Sequence, residues 1–175
     1  MSTTEQTGAA RIDHVVVPGT FDPVTLGHMD VISRTRKLFP RVTVAVAASV
    51  NKRGRGTAFT LEERVEMLRQ ALAEEGLSDV EVLPFTGLLV DFCHGIGALG
   101  VVKGLRAMTD FEYELQQADL NCHMAPDIES VFVMSNPKYG YVSSSIVREI
   151  SSMGSDVSSL VPPCVNQRLR EHYCA

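Results

Sequence analysis

A chain of 175 residues with 45% hydrophobic and 21% charged content is long enough to bury a core without disulfide or metal staples. Its formal net charge of −5 argues against a general nucleic-acid binder, which as a rule is basic, and no apolar run reaches the length of a membrane span. The four cysteines, Cys93, Cys122, Cys164 and Cys174, show no Cys-x-x-Cys spacing. Two of them adjoin His94 and His123, but neighbouring residues on a helix point about 100° apart and no second pair follows. They read as reduced thiols of a cytoplasmic protein with no metal site.

In chain order, residues 1–11 are polar and lack an apolar segment, so they are expected to be a disordered tail rather than a secretory signal. A single domain is expected over 12–175. Residues 12–17 form a short β-branched run, followed by "PGTFDPVTLGH", which crowds prolines, glycines and threonines before His28. A helix is predicted over 28–39, with Ile32, Thr35 and Phe39 on one stripe, then a strand over 42–48. The helix predicted over 60–75 opens with "TLEE", where Thr60 and Glu63 have the spacing of a capping box. Strands are predicted over 80–83, 99–102 and 130–134. Phe111, Leu115, Ala118 and Cys122 step along a further helix, and a last helix is expected over 166–173 after Pro162-Pro163.

Continuous apolar strands alternating with helices imply an α/β fold: three layers, Rossmann-like, with a five-stranded parallel sheet flanked by helices. Ligands in such sheets bind beyond the carboxyl ends of the strands, where the strand order reverses. "GIGALG" at 95–100 matches the dinucleotide fingerprint by letter, yet a helical segment precedes it and a strand follows, the wrong order for that motif.

The strand ends therefore carry the candidate chemistry. Gly19 and Gly27 permit close backbone approach, and His28 falls at a helix start, where free N–H groups and the dipole favour an anion. With Thr20 behind it, His28 reads as a donor to a phosphoryl group; a tight turn with a polar cap is the plain alternative. After the second strand, Lys52 is placed to reach the site, whereas Arg53 and Arg55 read as a solvated loop. Lys103 and Arg106 flank Gly104, a cationic clamp of the kind that phosphate transfer needs, unless they simply face solvent. Glu114 suits either a ribose contact or an ion pair with Arg106. After the fifth strand come Asn136-Pro137 and then Ser143, Ser144 and Ser145, which open a helix carrying Arg148 one turn on from Ser144. No serine or cysteine has a base partner at recognisable spacing, so direct displacement without a covalent intermediate is expected.

"PGTFDPVTLGH", "FTLEER", "KGLRAMTDFEYE" and "YVSSSIVREI", in that order, resemble the nucleotidyltransferase superfamily with a (His/Thr)-x-Gly-His motif, here Thr25-Leu26-Gly27-His28. Within it they resemble the phosphopantetheine adenylyltransferase family, from about Val15 to the end of the chain. The resemblance implies transfer of AMP from ATP to 4′-phosphopantetheine, giving dephospho-coenzyme A and pyrophosphate, with Mg²⁺ bound mainly through ATP, in a homohexamer. It implies that His28 stabilises the transition state, that Thr20, Lys52 and Arg106 share in catalysis, and that Thr20, Lys52, Leu89 and Lys103 bind the acceptor. The nucleotide would be held by Thr20, Phe21, His28, Gly104, Leu105, Arg106, Glu114, Tyr139, Gly140, Tyr141, Val142, Ser143, Ser144 and Ser145. Lys103 stands where many relatives have arginine, Gly140 where they often have a polar residue, and the "RGRG" loop is longer. Rival readings are a superfamily member acting on nicotinamide mononucleotide or a polyol phosphate, and a non-catalytic nucleotide-binding module; neither involves nucleic acid or a membrane. Coenzyme A itself is a further candidate ligand.

Overall fold

The computed structural model describes residues 11–48, 57–106 and 108–173, so the tail at 1–10 and the loop carrying Lys52, Arg53 and Arg55 lie outside the described residues. The elements run β1 (His14–Gly19), α1 (Leu26–Leu38), β2 (Arg41–Ala47), α2 (Leu61–Glu74), β3 (Glu81–Phe85), α3 (Leu89–Ile96), β4 (Gly100–Leu105), α4 (Met108–Met124) and β5 (Glu129–Met134). A 3₁₀ turn at Pro137–Tyr139 then leads into α5 (Ser144–Ser152) and α6 (Pro163–Tyr173). All five strands are parallel, in the order β3-β2-β1-β4-β5. The three-layer α/β arrangement expected from the pattern is the one observed.

Alternation along the strands builds a core on each face of the sheet. Val15 and Val17 of β1 and Val44 and Val46 of β2 face a core completed by Ile32 of α1, Leu68 and Leu72 of α2, Val147 of α5 and Leu169 of α6. Val16 and Ala45 point the other way, onto Val90 and Cys93 of α3 and Ala125 and Ile128 beyond α4. Thr35, polar on a buried stripe, is satisfied by donating to Val31 O at 2.7 Å. β3 runs two residues past its predicted end because its register with β2 continues to Ala47↔Phe85. Pro84 interrupts nothing there, since β3 is an edge strand and the missing N–H is not needed.

The α4 stripe departs from expectation. The helix forms, but Phe111, Leu115 and Cys122 are exposed, while Asn121 is the residue turned inward.

The order reverses between β1 and β4, and there the ladder is short. β1 pairs with β2 from His14↔Arg41 to Gly19↔Val46, but with β4 only at Val15↔Gly100 and Val16↔Val101. Past Val16 and Val101 no ladder bonds join these two strands, and the crevice between their carboxyl ends is framed by Gly19-Thr20 and Leu105-Arg106. Helix α1 closes down on this gap because Gly104 has no side chain: a Cβ there would stand 2.7 Å from Val31 Cγ2. Gly104→Ala should therefore force α1 away from β4 and lower stability by about 1–3 kcal/mol. Urea unfolding checks this, and an unchanged midpoint would show that α1 retreats freely.

Candidate active site

The loop from Gly19 to Thr25 is held from several sides. The Asp22 carboxylate, 3% exposed, accepts from Ala58 N at 2.9 Å and Phe59 N at 3.0 Å, and lies 3.1 Å from Arg148 Nη1. Arg148 also donates to the Asp22 carbonyl, and Ser144 Oγ donates to Pro23 O at 2.8 Å. The i, i+4 pair read from the sequence thus does lie on one side of α5, and both members bind this loop. Below it, the buried Arg64 guanidinium of α2 donates to Thr20 O at 2.6 Å and to Ala47 O at 2.9 Å.

Gly19 has a different use from the one expected. The Phe21 backbone is left-handed, with φ of 49°, and its ring folds back over Gly19, where a Cβ would meet ring carbons at 2.8 and 2.9 Å. The glycine makes room for the Phe21 ring. That ring in turn stands edge-on to His28, with centroids 5.1 Å apart.

His28 is the third residue of α1 and half of an unusual capping box. Thr25 Oγ1 accepts from His28 N at 3.4 Å, and the Thr25 backbone N–H donates to His28 Nδ1 at 3.1 Å. Histidine fills the position where such boxes normally carry Glu or Gln. An N–H donor at Nδ1 makes that nitrogen an acceptor, so the proton of the neutral ring sits on Nε2. Burial, seconded by the positive charge of Arg106, lowers the pKa of His28 from 6.5 to about 4. The ring is neutral near pH 7 and keeps one N–H to donate.

The remaining predicted residues gather around it unevenly. Arg106 Nη1 donates to Val142 O at 3.0 Å, joining the end of β4 to the approach to α5. A Cβ on Gly27 would lie 3.4 Å from Tyr139 Cβ, so the 3₁₀ turn packs on the first turn of α1. Ser143 caps α5 by accepting from Ile146 N, and Ser145 and Tyr141 are exposed. Gly140 caps the 3₁₀ turn in ordinary right-handed backbone. Glu114 pairs with Lys103 rather than with Arg106: Lys103 Nζ lies 2.8 Å from Glu114 Oε2, a buried oxygen with no aligned hydrogen bond. Leu89 begins α3 and packs against the core of the opposite face. Lys52 lies outside the described residues. The sequence marks Thr25 only as part of the Thr25-Leu26-Gly27-His28 motif and not as the cap that orients His28. Asp22 and Arg64 escaped the sequence reading, although Arg64, one turn before Leu68, breaks an apolar stripe and could have been flagged.

Residues 16–150 match the cytidylyltransferase-like family model. The chain is 48% identical over 160 residues to the phosphopantetheine adenylyltransferase of Nocardioides sp., covering 91% of this chain and 97% of that protein. It is 50% identical over 159 residues to that of Thermobifida fusca, covering 91% and 93%. Among solved structures, a bifunctional NMN adenylyltransferase/ADP ribose pyrophosphatase from Francisella tularensis superposes with a TM-score of 0.69 at 15% identity. It covers 94% of this chain but 51% of the longer one, and at that identity the likeness concerns the fold alone.

The lowered pKa of His28 has a consequence for stability. The unfolded chain binds more protons at this ring than the folded one between pH 6.5 and about 4. Its contribution is therefore complete above 6.5 and is lost as pH falls through that window. His14, also lowered by burial, acts in the same direction. Urea titrations should show unfolding free energy dropping from pH 6.5 toward 4, with a shallower slope in His28→Asn. An identical slope would remove His28 as the source.

Proposed function

The chain belongs to the phosphopantetheine adenylyltransferases, nucleotidyltransferase enzymes, and from that membership we infer its reaction. AMP passes from ATP to 4′-phosphopantetheine, giving dephospho-coenzyme A and pyrophosphate, a step of coenzyme A biosynthesis. The acceptor phosphate is already ionised at neutral pH and needs no general base. Its oxygen attacks the α-phosphorus in line as the bond to the β-phosphate oxygen breaks, and the electron pair leaves with pyrophosphate.

What carries this reading is the fixed tautomer of His28 beside Arg106 at the strand crossover. A neutral Nε2–H donates to charge as it develops on the α-phosphate, and it requires no proton transfer to do so. Arg106 supplies permanent positive charge. Thr20, at the end of β1, would bracket the α-phosphate from the other side, with Phe21 at the adenylate. Gly104 and Leu105 with Glu114 would line the nucleoside, and Tyr139, Gly140, Tyr141, Val142, Ser143, Ser144 and Ser145 would wrap the outer phosphates. Lys52 and Lys103 would meet the acceptor phosphate and Leu89 its pantetheine arm. Dephospho-coenzyme A, and coenzyme A by its shared parts, would occupy the same groove.

Nucleotidyltransferases generally use a divalent metal with ATP, and we read that metal as Mg²⁺. Among the described residues no three His, Cys, Asp or Glu side chains cluster, and Asp22 and Glu114 are engaged by Arg148 and Lys103. Such residues fit an ion carried by ATP oxygens and water, where it offsets triphosphate charge, rather than one held in a protein cage.

No helix among the described residues is long and apolar enough to cross a membrane, and we place the enzyme in the cytoplasm. We also read it as a homohexamer. The exposed Tyr113, Leu120 and Met124, spaced i, i+7 and i+11 along one face of α4, support self-association, since scattered apolar exposure is ordinary but a helix face of it is not. Sedimentation should give six times the chain mass, and a smaller particle for Leu120→Glu; a monomeric wild type would overturn the hexamer.

Pyrophosphate release with ATP and Mg²⁺ tests the reaction directly. Release is expected with 4′-phosphopantetheine and not with nicotinamide mononucleotide. His28→Ala should reduce kcat by about 100- to 1,000-fold, the usual loss when one transition-state donor is removed. Equal rates with both acceptors, or an undiminished His28→Ala, would overturn the reading.

A further inference from the structure

Arg64 is 2% exposed, among the most completely buried side chains in the protein. It lies on α2 among Val65, Leu68 and Leu72, where an apolar side chain would bury as well without the cost of desolvating a guanidinium. Its hydrogen bonds end on main-chain carbonyls: Nε reaches Phe59 O and Thr60 O, each at 3.3 Å, and Nη1 reaches Thr20 O and Ala47 O. Burial lowers its pKa, and the charges of Asp22 and Glu62 oppose that shift.

The identity of the two strand carbonyls matters most. The last register pair between β1 and β2 is Gly19↔Val46, so Thr20 and Ala47 would be the next rung. That rung does not form, because the chain turns at Thr20 into the left-handed Phe21. One nitrogen of Arg64 bridges both carbonyls of the missing rung. It holds the strand ends together while leaving the chain above free to turn into the crevice. Asp22, two residues on, is held independently by Ala58, Phe59 and Arg148. The segment bearing Thr20 is thus pinned beneath by Arg64 and beyond by Asp22.

We propose that Arg64 is a positioning residue for the transfer reaction, setting the height and angle of the Thr20–Phe21 turn against His28. This rests on the adenylyl-transfer reading above. Phe21 packs on the His28 ring, so a shift of the turn moves both sides of the α-phosphate site together. Losing such alignment lowers kcat more than KM, because substrate contacts elsewhere in the groove persist.

The test compares Arg64→Met, Arg64→Lys and, as a control on the same helix, Arg69→Met. Arg69 donates to Val82 O at 3.0 Å and has no part in the site. Rates are normalised to folded protein measured by circular dichroism. Arg64→Met should lose about 100-fold in kcat, the scale of a misplacement near 1 Å, with KM for ATP within about threefold of wild type. Arg64→Lys should fall between, since an ammonium keeps the charge but lacks the fork that spans both carbonyls. Arg69→Met should keep wild-type kcat. Wild-type kcat in both Arg64 variants, whatever their melting temperatures, would reduce Arg64 to a structural staple and overturn the proposal. If Arg64→Met does not fold, Arg64→Lys decides by the same criterion. Wild-type turnover is measured first with 4′-phosphopantetheine and then with nicotinamide mononucleotide. Activity with the second alone overturns the assigned acceptor, and the Arg64 comparison is then made on that acceptor, so the two failures stay separate.

Discussion

A parallel sheet leaves its last carbonyls, and the amides of the loops that follow, without strand partners. In this chain the shortage falls on Gly19–Thr25, the segment on which the proposed Thr20 and His28 contacts to the α-phosphate depend. Buried charges meet it: the Asp22 carboxylate takes the amides of Ala58 and Phe59, and the Arg64 guanidinium takes the carbonyls of Thr20 and Ala47. Charged partners suit this task because their hydrogen bonds are roughly twice as strong as neutral ones. The loop can then be irregular without being loose.

Within that frame, the two sources of positive potential at the site are of different kinds. Arg106 carries a permanent charge, whereas His28 is held neutral by burial and by that same arginine. A protonated His28 beside Arg106 would repel it; a neutral one with its proton on Nε2 donates a hydrogen bond at no such cost. The Thr25 amide decides which nitrogen bears the proton. Helix cap and tautomer are therefore one structural feature, and the same backbone N–H that starts α1 prepares the ring.

Several polar groups that a scan of the sequence assigns to ligand have partners within the fold. Ser144 binds the Pro23 carbonyl, Ser143 caps its own helix, and Lys103 faces Glu114, while Arg148, one turn on from Ser144, holds Asp22. These contacts carry α5 onto the β1–α1 loop and β4 onto α4, so that distant parts of the chain converge on one crevice. On the proposed reading, the Lys103–Glu114 pair would offer the acceptor phosphate a lysine already ordered within the fold.

Most of the architecture was legible in the chain itself. Strand and helix positions follow from hydrophobic periodicity, a local property, and the placing of His28 at a helix start follows from turn residues immediately before it. The Thr60–Glu63 capping box was legible for the same reason, its partners being three residues apart. Family membership too rests on local motifs in order. Tertiary structure decided what periodicity does not encode. It decided that Gly19 serves the Phe21 ring, that Glu114 meets Lys103 rather than Arg106, and that the apolar stripe of α4 faces outward. Above all it decided the contacts of Arg64, whose two strand-end partners lie 44 and 17 residues away and are backbone carbonyls. Every residue carries such a carbonyl, so no side-chain pattern marks which ones a buried guanidinium will find; only the early end of the β1–β2 ladder does.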